Sequence, residues 1–206
     1  MFGHPWAWAL FTLVALGLPA FAWYWRTPPA LPHLAPVPGF SLVDQLGQPL
    51  STLELRGQVV IYDFIFTRCP DACPLLTSKA AWLQQELPAR PMGGVPITLV
   101  SITVDPGYDV PEVLAAYADR YGADPARWHF LTGPVPMVRQ VLDGFQALAE
   151  ADAQDFGPGE VPRIAHSERF MLSDAEGALR GLYPSDEEGL MKLRHDAIGL
   201  ARAGGA

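Results

Sequence analysis

The chain has 206 residues, which is enough for one ordinary domain and a membrane anchor but too few for two full domains. Half of the residues are hydrophobic, so the sequence supports a normal core and argues against a miniature scaffold held together by disulfides. The formal net charge of −8 argues against a nucleic-acid-binding protein, which needs a basic face. The two cysteines lie close together in sequence, which indicates a redox or metal site.

Residues 1–25 differ from everything that follows, because they contain no Asp, Glu, Lys or Arg. About 20 apolar residues in a helix span the hydrocarbon core of a bilayer, and aromatic residues cluster near both ends of this segment. We therefore predict one N-terminal transmembrane helix that serves as a membrane anchor. A cleaved signal peptide is the alternative, because residues 20–22 match a small-x-small cleavage pattern, but the lack of a preceding basic residue favours the anchor.

Residues 26–39 contain five prolines and predict a semi-rigid spacer before a globular domain over residues 40–202. Near the start of that domain, Ser51 and Glu54 have the spacing of a capping box at the beginning of a helix. A run of β-branched and aromatic residues over 59–66 is apolar enough to predict the central strand of a sheet.

Helical and strand patterns alternate through the rest of the chain. After the cysteines, apolar residues recur at helical spacing as far as Pro88, which ends the helix. Residues 149–163 are predicted to form a long loop. The other predicted elements are a strand over 97–103, a helix over 111–122, a strand over 128–131, a helix over 135–147, a hairpin of 170–172 and 179–183, and a last helix opened by Ser185 with Glu188. This order predicts an α/β fold, a three-layer sandwich with a mixed sheet.

Cys69 and Cys73 follow the predicted central strand directly and precede a helix. Sheets of this class usually bind ligands at the carboxyl ends of their strands, and the N-terminus of a helix lowers the pKa of a nearby thiol. With three residues between them, the cysteines could form a disulfide or direct both sulfurs at one soft metal ion, Cu(I) or zinc. The spacing alone does not decide between redox chemistry and metal binding, and inert packing of two thiols is the remaining alternative.

Several motifs occur in the same order as in a known protein family. Residues 64–74, which read F-I-F-T-R-C-P-D-A-C-P, resemble the signature of the Sco/SenC family of copper proteins. Residues 100–106 resemble the S-V-D-P strand end of that family, residues 128–133 its W-x-F-L-T-G segment, and residues 165–167 its D-H-S/T segment. The chain is therefore identified as similar to Sco/SenC proteins over essentially all of the predicted globular domain.

This resemblance implies a thioredoxin-like fold that binds one copper ion through Cys69, Cys73 and His166. We expect the same two cysteines to form a disulfide when they are oxidised. One departure from the family pattern is Ala165, since an acidic residue usually precedes the histidine. The missing carboxylate removes a group that could orient the imidazole of His166.

The resemblance also implies a function, that of a copper chaperone delivering copper to the binuclear copper centre (CuA) of cytochrome c oxidase subunit II. The alternative is a thiol–disulfide oxidoreductase that reduces the CuA-site cysteines of the oxidase, because the same fold and thiols serve that chemistry. The implied location is the cytoplasmic membrane, with a single-pass anchor and the soluble domain on the outer (periplasmic or extracytoplasmic) side. No nucleic-acid partner is expected.

Other polar residues near these motifs have simpler or less specific interpretations. Asp63 lies within the predicted central strand, where a buried carboxylate needs hydrogen-bond partners or a raised pKa, so it is a candidate to support the site from behind. Asp105 ends the neighbouring strand and either faces the same edge or forms a turn with Pro106. His129 is interpreted as packed in a strand, and His195 as part of a solvated helix face.

Overall fold

The computed structural model describes residues 31–69, 72–152 and 168–204. The anchor predicted for residues 1–25 lies outside these ranges. Within them, no helix is both long and apolar enough to cross a bilayer.

The described ranges contain eight strands and four helices. The strands are β1 (Ala35–Pro36), β2 (Ser41–Val43), β3 (Pro49–Ser51), β4 (Val59–Ile65), β5 (Ile97–Thr103), β6 (Trp128–Leu131), β7 (Arg169–Ser173) and β8 (Ala178–Pro184). The helices are α1 (Ala72–Glu86), α2 (Pro111–Arg120), α3 (Val135–Asp152) and α4 (Glu187–Ala203). From β4 onwards, this is the order of elements predicted from the sequence.

Six of the strands form one mixed sheet in the order β1-β8-β7-β4-β5-β6. Strand β4 is parallel to β5, and β5 is parallel to β6, whereas β7 is antiparallel to both β4 and β8. Every residue of β4 is buried, as expected for a central strand that is covered on both faces. The parallel strands β4, β5 and β6 all end at one edge of the sheet, which we call the carboxyl edge.

Alternate residues of β4 pack into two cores, one on each face of the sheet. Val59, Ile61 and Ile65 belong to a core that includes apolar residues of α1, α2 and α4. Tyr62 and Phe64 belong to the other core, which includes residues of α3 and of the β2–β3 hairpin. The predicted three-layer α/β sandwich with a mixed sheet is confirmed.

The folded unit begins at Leu31, earlier than the sequence predicted. Arg180 Nη2 donates a hydrogen bond to the carbonyl oxygen of Leu31 at 2.6 Å, and the following strand β1 pairs with β8 at the end of the sheet. Residues 31–39 of the predicted spacer 26–39 therefore belong to the domain. The prediction was wrong because the prolines were taken to indicate a spacer, whereas an edge strand tolerates a residue such as Pro36 that lacks a backbone N–H.

Two predicted capping boxes do not act as predicted. The backbone N–H and the hydroxyl of Ser51 both donate to Glu54 Oε2 at 2.8 Å, but the following residues form turns and not a helix. At the start of α4, the capping residue is Asp186, which accepts the backbone N–H three residues later at 2.8 Å. Ser185 instead accepts a hydrogen bond from Lys79 on α1 at 2.9 Å. A serine–glutamate spacing therefore located helix α4 to within one residue but gave a false helix after β3.

Candidate metal centre

Cys69 and Cys73 lie at the corner where β4 ends and α1 begins. The turn before them is closed by the backbone N–H of Cys69, which donates to the carbonyl oxygen of Phe66 at 3.2 Å. Cys73 lies in the first turn of α1. The structure therefore places both predicted thiols at the carboxyl edge of the sheet, where proteins of this architecture bind ligands.

The two cysteines are in direct contact through a backbone group. The N–H of Cys73 points to Cys69 Sγ, with 3.4 Å between nitrogen and sulfur. Cys73 is buried and Cys69 is half-buried, and both are thiols rather than halves of a disulfide. The disulfide between them stays a prediction. Two soft sulfur donors at one corner suit Cu(I), so the donor set in the described residues fits the metal that the sequence predicted.

The thiol of Cys73 is hard to ionise. Its pKa is raised to about 12, mainly by burial and to a smaller extent by the neighbouring Cys69, and a hydrogen bond from the backbone of Phe66 only partly opposes these effects. The expectation that the start of a helix would lower the thiol pKa is therefore wrong for Cys73, because desolvation outweighs the helix dipole. A metal ion or an exchange partner must displace a proton from this sulfur.

A buried carboxylate holds the loop that carries the cysteines. Asp109 is fully buried, and its oxygens accept hydrogen bonds from the backbone N–H of Thr67 at 3.1 Å and from the hydroxyl of Thr67 at 2.5 Å. The hydroxyl of Thr103, at the end of β5, donates to the same carboxylate at 2.5 Å. Asp109 was not among the residues that the sequence singled out for the site. Its hydrogen bonds connect the cysteine loop to the end of β5.

An exposed ion pair joins the same two loops at the surface. Arg68 Nη2 lies 2.5 Å from Asp105 Oδ2, and the Arg68 guanidinium lies over the ring of Tyr108, 4.2 Å from its centre. Asp105 therefore faces the carboxyl edge beside Cys69, which was one of its two predicted placements. Because the pair is exposed, it positions the loops more than it stabilises the fold.

Asp63 lies in the core beneath this corner, on the face of the sheet that packs against α1. Its Oδ1 accepts a hydrogen bond from Ser101 at 2.5 Å, and the indole N–H of Trp128 donates to Ser101 at 2.9 Å. Its Oδ2 has no hydrogen-bond partner, and burial raises the pKa of this carboxyl to about 7. Asp63 therefore has both of the features of which a buried carboxylate needs at least one, and its support of the site stays a prediction. Its charge also contributes to the raised pKa of Cys73.

The predicted third ligand, His166, lies outside the described residues, and its role stays a prediction. Helix α3 extends to Asp152, which is inside the loop predicted for 149–163, and residues 153–167 are not described. Across 31–69, 72–152 and 168–204, no group of three or more His, Cys, Asp or Glu side chains is placed to hold a metal ion. His129 is largely buried, with Nδ1 3.5 Å from Asp44 Oδ2, and His195 is exposed on α4, as predicted for both.

A match to a known family decides the assignment of the chain. Residues 32–195 match the family model of SCO1/SenC proteins. The chain belongs to the SCO1/SenC family. One SCO1/SenC relative is the SCO1 protein homolog of Bacillus subtilis, which is 30% identical over 140 residues, or 67% of this chain and 68% of that protein.

Solved structures of Sco proteins share this fold. The structure of BsSco, a member of the Sco family of cytochrome c oxidase assembly proteins with a disulfide switch, has a TM-score of 0.64 and 27% identity. That match covers 84% of this chain and 95% of BsSco. Yeast Sco1 with copper bound has a TM-score of 0.59 and 25% identity, over 80% of this chain and 92% of that chain. The thioredoxin-like fold that the sequence resemblance implied is confirmed.

Proposed function

We propose that this protein binds one copper ion through Cys69, Cys73 and His166 and delivers it to the CuA centre of cytochrome c oxidase subunit II. The observation that carries the proposal is the pair of adjacent thiols at the carboxyl edge of a Sco fold. Thiolate sulfur selects Cu(I), and an added imidazole also accommodates Cu(II). The family supports the same choice, because its relatives include a Sco1 protein with copper bound.

The surroundings of the cysteines suit a protein that binds a copper ion and then releases it to an acceptor. Cys73 holds a proton until a metal ion replaces it, because burial raises the pKa of its thiol to about 12. Cys69 is the more accessible of the two sulfurs, so an acceptor would reach it first. The Asp109 carboxylate keeps Thr67, and with it the start of the cysteine loop, in one position. Both thiols must be reduced for copper to bind.

The location follows from the same proposal. Residues 1–25 would anchor the protein in the cytoplasmic membrane, and the domain that begins at Leu31 would work on the outer side. Support for the anchor comes from the uncharged, apolar character of these residues. Fractionation of cells that express the full chain, with and without carbonate extraction, tests the anchor. Protease treatment of spheroplasts tests on which side the domain lies.

One contrast between the cysteines favours a second candidate function, that of a thiol–disulfide oxidoreductase. Exchange begins with an accessible attacking thiol and ends with a second, protected thiol. Cys69 is half-buried, which suits the attacking thiol, and Cys73 is buried, which suits the protected thiol. Such an enzyme would reduce the CuA-site cysteines of the oxidase, and BsSco, a relative, has a disulfide switch.

A copper titration of the reduced domain tests the metal site. We expect the wild-type domain to bind one Cu(I) ion, and Cys69→Ser and Cys73→Ser to lose high-affinity binding. His166→Ala should weaken binding by about 10- to 100-fold, as loss of part of a metal shell usually does. His129→Ala is the matched control, because this imidazole contacts Asp44 and not the cysteines. Full binding by either cysteine variant would refute the proposed site.

Oxidase assembly in cells separates the two candidate functions. A copper chaperone needs His166, whereas thiol exchange does not need a remote imidazole. We expect His166→Ala to weaken copper binding and to prevent assembly of the CuA centre. Weakened copper binding with normal assembly would favour the oxidoreductase.

A further inference from the structure

A chain of two hydrogen bonds links helix α2 to the turn of α1 that carries Cys73. The hydroxyl of Thr77 donates to the carbonyl oxygen of Cys73 at 2.8 Å. The hydroxyl oxygens of Thr77 and Tyr117 lie 2.9 Å apart. Because Thr77 has a single hydroxyl proton and gives it to Cys73, the phenol of Tyr117 is the donor in the second bond. The chain therefore runs from Tyr117 on α2, through Thr77, to the thiol-bearing turn.

Burial distinguishes this chain from an ordinary bond within a helix. A Ser or Thr hydroxyl that bonds the carbonyl four residues back is common in helices and does not by itself stabilise them. Ser78 makes such a bond to Pro74 at 2.8 Å, but Ser78 is exposed. Thr77 and Tyr117 are 0% and 2% exposed, so water cannot replace the bond between them. The unusual feature is the buried phenol from a second helix that holds the hydroxyl of Thr77 in place.

The face of α1 that carries Cys73 is directed towards α2. Four buried residues of α1 recur at spacings of four, three and four and so share one side of the helix: Cys73, Thr77, Ala80 and Gln84. The side-chain amide of Gln84 donates to the carbonyl oxygen of Gly122, just beyond the end of α2, at 3.0 Å. Contacts at both ends of this face therefore fix how α1 lies beside α2.

Cys73 lies in a part of α1 that needs such support. The first turn of a helix is prone to fraying, because its leading N–H groups have no partners within the helix. Cys73 lies in that first turn, and its carbonyl accepts the hydroxyl of Thr77 in addition to the usual backbone bond. A Thr77 side chain held from α2 opposes opening of the turn at the position that carries the thiol.

The segment that contains α2 contacts the chain on both sides of the cysteine pair. Asp109, just before α2, accepts two hydrogen bonds from Thr67, which is two residues before the first cysteine. Tyr117, within α2, contacts Thr77, which is four residues after the second cysteine. A helix rises about 1.5 Å per residue, so the two contacts are roughly 10 Å apart on one rigid element. Leu114, between them, is fully buried in the core and anchors that element.

We propose that Tyr117, acting through Thr77, is a positioning residue for Cys73, and that α2 thereby holds the second sulfur of the pair in place. The inference rests on the proposed binding of copper by the two thiols, because one ion can bind both sulfurs only when they are held at a suitable separation. Neither hydroxyl contributes an atom to the metal. Residues that orient a ligand in this way usually affect metal affinity by about 10- to 100-fold.

Conservative variants separate each hydroxyl from the rest of its side chain. Tyr117→Phe removes the phenol hydroxyl, Thr77→Val removes the other hydroxyl at nearly constant size, and Thr77→Ser keeps it. The matched control is Tyr183→Phe, which removes another buried phenol hydroxyl, one that donates to Asp196 on α4 at 2.8 Å. A second control, Ser78→Ala, removes only the exposed local bond.

Competition with the Cu(I) chelator bicinchoninate measures the affinity of each reduced, full-length protein. We expect Tyr117→Phe and Thr77→Val to bind Cu(I) about tenfold more weakly than the wild type. The double variant should be no weaker than either single variant, because both changes break the same chain. Thr77→Ser and the two controls should match the wild type. Urea unfolding should show that Tyr183→Phe loses as much stability as Tyr117→Phe, which separates affinity from stability.

Amide exchange tests the position of Cys73 without copper. In the metal-free, reduced protein, the N–H of Thr77 bonds to the carbonyl of Cys73 within the helix. This N–H should exchange at least about fivefold faster in Tyr117→Phe than in the wild type, because the turn opens more often. Alkylation of Cys73 by iodoacetamide, measured in the Cys69→Ser background, should accelerate in the same variant. Tyr183→Phe should change neither rate.

Each contrary result has a distinct meaning. If Tyr117→Phe bound Cu(I) as tightly as the wild type, the phenol would not position the thiol, and the proposal would be wrong. An equal loss of affinity in Tyr183→Phe would also overturn it, because the effect would then follow stability and not position. If the wild type bound no copper, the proposed function would fail. The exchange and alkylation rates would then decide the role of Tyr117 alone, and unchanged rates would refute it.

Discussion

The carboxylate of Asp109 accepts two hydrogen bonds from Thr67, one from its backbone and one from its side chain. These residues are 42 positions apart in sequence, yet the contact determines where the cysteine loop leaves the sheet. The third bond, from Thr103, ties the carboxylate to the end of β5. The candidate metal centre is therefore built on two neighbouring strands and not on the cysteine loop alone.

Replacing Asp109 with alanine should damage both stability and metal binding. The substitution leaves the two half-buried donors of Thr67 and the buried hydroxyl of Thr103 without an acceptor, so the free energy of unfolding should fall by about 2–4 kcal/mol. Copper affinity should fall by about tenfold or more, because the loop loses its support. Urea unfolding and competition with a Cu(I) chelator measure the two effects. Asp119→Ala, an exposed change on α2, is the control, and equal stability of the two variants would contradict the prediction.

The buried Asp63 should make stability depend on pH. Its folded-state pKa of about 7 is above its ordinary value of 3.8, so between these values the folded protein holds the proton and the unfolded chain has lost it. The free energy of unfolding should therefore fall as pH rises from about 4 to 7, by up to roughly 4 kcal/mol, and this contribution should be constant above pH 7. Asp63→Asn should remove that slope.

Chemical unfolding at several pH values measures this dependence. The informative quantity is the difference between the wild type and Asp63→Asn, because all other titrating groups are shared. Asp143→Asn, an exposed change on α3, should keep the wild-type slope. A difference that did not vary between pH 4 and 7 would mean that Asp63 is already ionised in the folded protein.

Iodoacetamide should alkylate Cys69 well before Cys73 at pH 8. Only the thiolate reacts, and with a pKa of about 12 roughly one Cys73 thiol in 10,000 is ionised at that pH. Burial slows its reaction further. The rates follow from mass spectrometry of Cys69→Ser and Cys73→Ser, each with one remaining thiol. Similar rates for the two variants would contradict the description of Cys73 as buried and protonated.

Gln45 should be essential for the outer edge of the sheet. Its side-chain amide donates to the carbonyl oxygen of Trp128 at 3.0 Å and accepts the backbone N–H of Phe130 at 2.8 Å, so it takes the place of another strand beside β6. Gln45→Leu leaves both buried backbone groups unpaired, which should lower the free energy of unfolding by about 2–4 kcal/mol.

Gln45→Glu offers a sharper version of this experiment. A carboxylate still accepts the N–H of Phe130 but cannot donate to Trp128, so its stability should lie below that of the wild type at neutral pH. The control is Gln48→Leu, an exposed change in the same hairpin. Thermal unfolding and light scattering measure the loss of stability and any aggregation through the opened edge. A Gln45→Leu protein as stable as the control would refute the role of this side chain.

The sequence predicted those features that depend on local patterns. The apolar run of β4, the helical spacing after Cys73 and the alternation of elements gave the architecture, because period and composition reflect burial directly. The cysteine corner was predictable for the same reason, since it joins a strand pattern to a helix pattern. The family was then indicated by several motifs in the same order as in Sco/SenC proteins, which the periodicity of apolar residues does not reveal.

Contacts between distant segments were not predictable in this way. The bond of Asp109 with Thr67 depends on the register of β4 against β5, and nothing in the residues around position 109 reports that register. The pKa of Cys73 was predicted in the wrong direction, because its burial results from packing of the whole corner. Strand β1 was not predicted, because the prolines before residue 40 indicated a spacer and because its partner, β8, lies more than 130 residues away in sequence.

The loop after β5 places three consecutive residues in two environments. Tyr108 and Val110 are exposed, and Asp109 between them is buried. Because one short stretch of backbone carries all three side chains, a substitution at either outer position that shifts this backbone would also move the carboxylate that holds Thr67. Surface changes at 108 and 110 are therefore expected to disturb the cysteine turn more than changes at the exposed positions 135 and 137.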